Sequence, residues 1–270
     1  MSDLDFSGRH VVVTGAATGV GAALLDLLAE LGGPGVTVLD VKEPTGPHKT
    51  FLRTDLSDRA AIAAAAASID GPIDALVNNA GVADTLPPNV VFRVNVLAPL
   101  HLTEALLPQL GDGAAVVSTA SIAGMRWRER LPQILELLAL EDWDARLEWF
   151  AGRELGIDTY AFTKEVIQVW TMRLARDLMQ RGVRINSVCP APIDTPLLPD
   201  FRQTMGDAGI DFVLANGGGR PVTPREVASV LAWLASPASS YVSGQNVNID
   251  AGFEAAMTTN QLDFSTYRRS

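Results

Sequence analysis

Tyr160 and Lys164 stand four residues apart, a spacing that puts a phenol and an ammonium on one face of a helix. A tyrosine with an ordinary pKa of about 10 is a poor base near neutrality, and an adjacent cation favours its phenolate. Such a pair can pass a proton; the bland alternative is two unrelated surface side chains. Ser121 adds a hydroxyl just past a short apolar run, 114–118, that reads as a strand. In an open parallel sheet, ligands bind beyond the carboxyl ends of the strands. Ser121 could equally cap a following helix, and Ser118 is a rival hydroxyl set inside the run. Asn95, near the start of another predicted helix, could be a cap as well.

A second constellation is Thr14-Gly15-Ala16-Ala17-Thr18-Gly19-Val20-Gly21, placed between a strand and a helix. Glycines let backbone approach a pyrophosphate, and free amides at a helix start favour its charge. The alternative is an ordinary glycine turn, but an acid, Asp40, ends the next strand. A carboxylate there accepts both ribose hydroxyls of NAD and repels the 2′-phosphate of NADP. The glycine loop has no Arg or Lys, and Val41 follows Asp40, so the residues predict NAD. Lys42 is the one side chain that could soften this preference, and a loop cap is the other role open to Asp40.

These groups need a scaffold, and the chain alternates β-branched runs with stretches of helical period, the pattern of parallel strands joined by crossover helices. Strands are predicted at 10–14, 36–40, 50–52, 73–77, 114–118, 183–188 and 247–249. The helix over 20–31 shows Ala23, Leu24, Leu27, Leu28 and Leu31 on one face, and Gly32, Gly33, Pro34 and Gly35 break it. Further helices are expected from Ser57, as cap, to Ser68, and over 94–110, 158–181 and 225–234. The fold class is α/β, a single-domain Rossmann-type doubly wound parallel sheet over residues 1–270.

Two segments depart from this rhythm. In an insert at 126–157, Leu131, Ile134, Leu135 and Leu138, then Trp143, Leu147 and Phe150, mark two amphipathic helices. They either border the pocket or pack on the domain and alter subunit contacts; packing is the favoured reading. The stretch 196–222, with Gly217, Gly218 and Gly219, reads as a mobile lid loop.

Composition narrows the partners. A net charge of -10 disfavours nucleic acid and anionic membrane surfaces. Cys189 is the single cysteine, so an intramolecular disulfide and a cysteine metal cluster are excluded, and His10, His48 and His101 are scattered, so no metal is expected. The acidic start at Met1 lacks a signal core, and apolar stretches break before membrane-spanning length, which together predict a cytoplasmic protein.

The ordered set of Thr14 to Gly21, Asp40, Asp55-Leu56, Asn78-Asn79-Ala80-Gly81, Asn95, Ser121, Tyr160 with Lys164, and Pro190 with Thr195 resembles the short-chain dehydrogenase/reductase family over nearly the whole length. The insert and the tail from Tyr241 to Gly252 are most similar to its bacterial 3α-hydroxysteroid dehydrogenase/carbonyl reductase branch. The resemblance implies that Asp55 and Leu56 hold the adenine, that Asn79, Ala80 and Gly81 line the adenosine side, and that Lys164 binds the nicotinamide ribose. It implies that Ser121 holds the substrate oxygen and Tyr160 exchanges its proton. Asn95 would anchor a water leading to Lys164, while Ile193 and Thr195 would touch the nicotinamide amide. Two departures stand out: Ala191 replaces the usual glycine after Pro190, and the serine lies in Ser118-Thr119-Ala120-Ser121. The implied activity is NAD-dependent interconversion of a small-molecule alcohol and its ketone by a homodimer or homotetramer. If the insert lines the pocket, the substrate is an apolar steroid, terpenoid or aryl alcohol. A catalytically silent NAD-sensing regulator of the same fold is the alternative.

Overall fold

The β-branched runs pair as seven strands: β1 (His10–Thr14), β2 (Gly35–Asp40), β3 (Thr50–Arg53), β4 (Ile73–Asn78), β5 (Leu110–Thr119), β6 (Arg184–Pro190) and β7 (Asn246–Ile249). They form one parallel sheet in the order 3-2-1-4-5-6-7. This is the architecture of a computed structural model that describes residues 3–33 and 35–263; Pro34 of the predicted break, Met1 and the last seven residues lie outside the described set.

Parallel neighbours require crossovers, and helices supply them. In chain order these are α1 (Gly19–Glu30), α2 (Arg59–Ala67), α3 (Pro88–Phe92), α4 (Ala98–Leu106), α5 (Leu131–Leu138), α6 (Trp143–Ala151), α7 (Thr159–Met179), α8 (Leu198–Met205), α9 (Asp207–Asn216), α10 (Pro224–Ala235) and α11 (Phe253–Thr258). Strand alternation divides the core in two. Val11 and Val13 face Leu24 and Leu28 of α1 and Val227 and Leu231 of α10. Val12 turns the other way, into a layer with Ile62 of α2, Leu100 of α4 and Val166 of α7. The strand order reverses at β1, whose neighbours are β2 and β4, and a crevice opens there beyond the carboxyl ends.

Several expectations change. The helix assigned to 94–110 begins earlier, at Pro88, because proline is tolerated in a first turn and does not break the helix there. It continues through a π turn, Arg93–Leu97, into α4, so Asn95 sits mid-helix and is no cap. Pro88–Gln109 is long and apolar enough to cross a membrane by length and composition, contrary to the sequence reading, but 61% of its most apolar window is buried in the protein. Ser57 does not cap α2. Asp58 does, accepting from the Ala60 amide, while Ser57 closes a turn on Asp55.

The insert forms α5 and α6, rotated from the expected face. Ile134 and Leu137 are buried while Leu135 is exposed, and on α6 Arg146 joins Trp143 and Phe150 inside. Phe150 stacks on Phe92 at 4.2 Å, which seats the insert against α3. The Arg130 guanidinium grips the fully buried carboxylate of Glu165 on α7 in two hydrogen bonds of 2.6 and 2.5 Å. The predicted lid loop contains α8 and α9, which Pro196, Pro199 and Gly206 disguise in the sequence.

Candidate active site

A crevice with a cavity of about 1010 Å³ runs over the carboxyl ends of the strands, from Asp40 at one end to Phe253 at the other. One wall of it is the glycine loop. Thr18 precedes α1 and its side chain caps nothing, so the first amides of the helix stay open to the crevice, with no acid in that turn. Gly15 has φ +69°, and a Cβ there would fall 2.5 Å from the Ala80 Cα. Thr14 Oγ1 accepts from the Asn79 and Ala80 amides at 3.1 Å each, and Asn79 Nδ2 donates to the Gly15 carbonyl at 2.8 Å. The β1 and β4 loops are thereby stitched into one floor.

Gly15, Thr18, Gly19, Val20, Asp40, Val41, Asp55, Leu56, Asn79, Ala80 and Gly81 line this part of the crevice, and Pro190, Ile193 and Thr195 line its far side. Gly21 does not. It faces inward, where a Cβ would sit 2.1 Å from the Gly15 carbonyl oxygen, so its role is to let α1 pack against the loop. Asp40 Oδ2 accepts from the Ala17 amide at 3.0 Å and Oδ1 from the Lys42 amide at 3.1 Å. The carboxylate therefore is a loop cap and also fronts the cavity, with Lys42 beside it. Phosphate-accepting amides, a cradle that side chains would fill, and a carboxylate at the ribose end together fit a dinucleotide.

At the other end Ser121, Tyr160 and Lys164 converge on the cavity. Ser121 follows β5, and its oxygen accepts from the Ala123 amide at 3.1 Å, so it caps the short 3-10 turn Ile122–Gly124 and no helix of the insert. It also neighbours the phenol of Tyr160 and lowers its proton affinity. Ser118 is buried in β5 with no partner for its hydroxyl among the described residues, and it does not reach the cavity. Lys164 donates to the Thr119 carbonyl at 2.9 Å, and its ammonium lies 5.3 Å from the centre of the Tyr160 ring.

Electrostatics here run against the simplest reading of the pair. Burial pushes the Tyr160 phenol well above its ordinary range; the Ser121 hydroxyl opposes this, while the charges of Asp158 and Asp84 add to it. Burial also pulls Lys164 down to about 8. The free protein thus holds a neutral phenol, because desolvation of the anion outweighs the nearby ammonium. Cys189 is buried in β6 and burial pushes its thiol up to about 12, so it is no nucleophile.

Asn95 stays outside the cavity wall. Its amide exchanges two 2.9 Å hydrogen bonds with the backbone of Val82 and donates to Thr163 at 3.3 Å. Ala191 adopts no left-handed conformation, so the turn after Pro190 does not need the glycine it lacks. Of the insert 126–157, only Arg126 reaches the cavity. The apolar wall comes instead from residues the sequence reading missed: Leu86, Val90 and Met125 on one side, with Phe201, Ile210 and Met257 on the other. Phe201 of α8 lies against the catalytic phenol candidate, with ring centroids 4.7 Å apart. The period of α8 and α9 was the available signal, broken up by their prolines and glycines.

The short chain dehydrogenase family pattern matches residues 9–132, and the pattern described as Enoyl-(Acyl carrier protein) reductase matches 153–254. The 3-alpha-hydroxysteroid dehydrogenase/carbonyl reductase of Comamonas testosteroni is 34% identical over 93% of this chain and 99% of its own. The crystal structure of the 3-alpha-hydroxysteroid dehydrogenase from Pseudomonas sp. B-0831, complexed with NADH, is 30% identical with a TM-score of 0.81, covering 94% of this chain and all of that one. BdcA in complex with NADPH is 28% identical with a TM-score of 0.70, covering 92% and 95%.

Proposed function

Since this chain belongs to the short-chain dehydrogenase/reductase family, we propose that it is an NAD-dependent oxidoreductase that interconverts an apolar secondary, benzylic or allylic alcohol and its carbonyl compound, with Tyr160 as acid/base. The observation that carries this reading is the convergence of Ser121, Tyr160 and Lys164 on one cavity, with the ammonium 5.3 Å from the centre of the phenol ring, at the end of a dinucleotide-shaped crevice. NAD over NADP is supported by Asp40, whose charge fronts the ribose end.

The dinucleotide, when bound, supplies the hydride donor or acceptor, and in its oxidised form a positive charge that favours a phenolate. In reduction the neutral Tyr160 phenol donates its proton to the substrate oxygen, and Ser121 donates a hydrogen bond to the same oxygen. In oxidation the phenolate, favoured by the Lys164 ammonium beside it, takes the alcohol proton. The phenol of the free protein is held protonated, so oxidation should gain rate as pH rises and reduction should lose it. Phe201 and the methionines of the wall keep water from the reacting atoms and suit a steroid, terpenoid or aryl body. A homodimer or homotetramer is the proposed unit, which light scattering of the intact chain decides.

The test is Tyr160→Phe. Turnover over a panel of steroid, terpene and benzylic alcohols falls at least about a thousandfold, while NADH binding, read by fluorescence, is unchanged. Turnover near that of the unmodified protein would end the proposal.

A further inference from the structure

The helix that carries Tyr160 starts on two carboxyl groups, and one of them comes from far away in sequence. Asp158 precedes α7 and its Oδ1 accepts from the Ala161 amide at 2.8 Å. Asp84, in the loop after β4, uses Oδ2 to accept from the amide of Tyr160 itself at 2.9 Å. The first amides of a helix have no partners within it, so these two side chains fix where α7 begins. They also fix where the α-carbon of Tyr160 stands.

The second oxygen of Asp84, Oδ1, is buried and finds no hydrogen-bond donor among the described residues. The Asp158 carboxyl is a close neighbour of Asp84. Two carboxyl groups set side by side raise the proton affinity of one another's site. Burial of Asp84 moves its carboxyl upward, and the facing Asp158 adds to the effect. Other charged or titratable groups around the pair are Arg130, which feels Asp158 from the insert, and Glu165, its partner; around the phenol they are Lys164 and the Cys189 thiol.

We infer that Asp84 is a positioning residue of this enzyme: from the loop after β4 its carboxyl holds the Tyr160 amide, and so sets the seat of the acid/base. This rests on the assignment of Tyr160 as acid/base. The charge of the Asp84 carboxylate stands beside that of Asp158 and next to the phenol. The phenolate then forms less readily, so the base limb of alcohol oxidation lies at a higher pH than the phenol alone would give.

Asparagine keeps an oxygen that accepts from the Tyr160 amide and removes the negative charge. Asp84→Ala lowers kcat about tenfold, with the KM for the dinucleotide unchanged. Asp84→Asn restores most of that turnover, and its rise of oxidation rate with pH begins at lower pH than in the unmodified protein. A merely structural cap would cost thermal stability in the Ala variant and leave kcat and the pH profile alone. Full kcat in Asp84→Ala, an Asn variant as impaired as the Ala variant, or an unmoved pH limb in Asp84→Asn each overturns the inference. If the Ala variant does not fold, the shift of the limb in the Asn variant decides alone. Titration of the Tyr160 phenol by ultraviolet difference against Tyr160→Phe gives the same answer without turnover. Failure of Tyr160→Phe to lose activity sinks the acid/base assignment separately.

Discussion

Lys164 is 4% exposed, and burial draws its pKa from 10.5 to about 8. Below that pH both the folded and unfolded chains hold the proton, so folding carries the full cost of an ammonium in a dry site. The shift from 10.5 to about 8, at about 1.4 kcal/mol per unit, puts that cost near 3 kcal/mol. Lys164→Met keeps the length of the side chain and removes the charge. It also removes the hydrogen bond to the Thr119 carbonyl, worth about 1 kcal/mol. The variant is therefore more stable than the parent at neutral pH by about 2 kcal/mol, or roughly 5 °C in Tm for a chain of this size. The sign reverses with pH. Between about 8 and 10.5 the folded lysine releases its proton and the unfolded one keeps it, so the parent gains relative stability as pH rises through that window. Urea melts of both proteins at neutral pH and near the unfolded lysine pKa measure this, alongside loss of turnover in the variant. A variant less stable than the parent at neutral pH, or a stability gap that does not shrink as pH rises, refutes the reasoning.

Two further outcomes follow from the geometry. Ser121→Ala removes the donor to the substrate oxygen and lowers kcat about a hundredfold, with NADH affinity retained; an unchanged kcat would show that the phenol alone holds that oxygen. Asp40→Asn removes the charge at the ribose end but keeps an oxygen for the loop amides, so the ratio of kcat/KM for NAD over NADP falls about tenfold or more. A parent that already favours NADP, or a ratio unmoved by the substitution, would give Lys42 the deciding role instead.

The fold was legible wherever a local rule and a distant one agree. Val11, Val12 and Val13 read as a buried strand, and they alternate between the two cores because the sheet is covered on both faces. The glycine loop was legible because its close approaches, Gly15 to Ala80 and Gly21 to Gly15, admit no side chain. Ser57 misled because its neighbour Asp58 is an equally good cap, and local preference does not choose between adjacent candidates. The face of α5 was misjudged by one step, since Leu135 and Leu137 are chemically alike and only the body it packs on separates them.

What stayed hidden is what the chain brings together across long separations. Phe201 meets Tyr160 from another helix, and Asp84 holds the Tyr160 amide from 76 residues away. No periodicity encodes such a contact, because it depends on how two loops leave neighbouring strands. Yet these contacts decide how the legible residues behave. From spacing alone, Lys164 should make a phenolate of Tyr160; in the folded chain, desolvation and the Asp158 and Asp84 carboxyls hold the proton on. On the proposed mechanism, oxidation has to overcome an environment that the protein itself builds, and the positive charge of an oxidised dinucleotide is a contribution absent from the free chain. It follows that the phenol should titrate at lower pH with NAD bound than without it, a coupling that requires oxidised dinucleotide to bind more tightly as the phenol ionises.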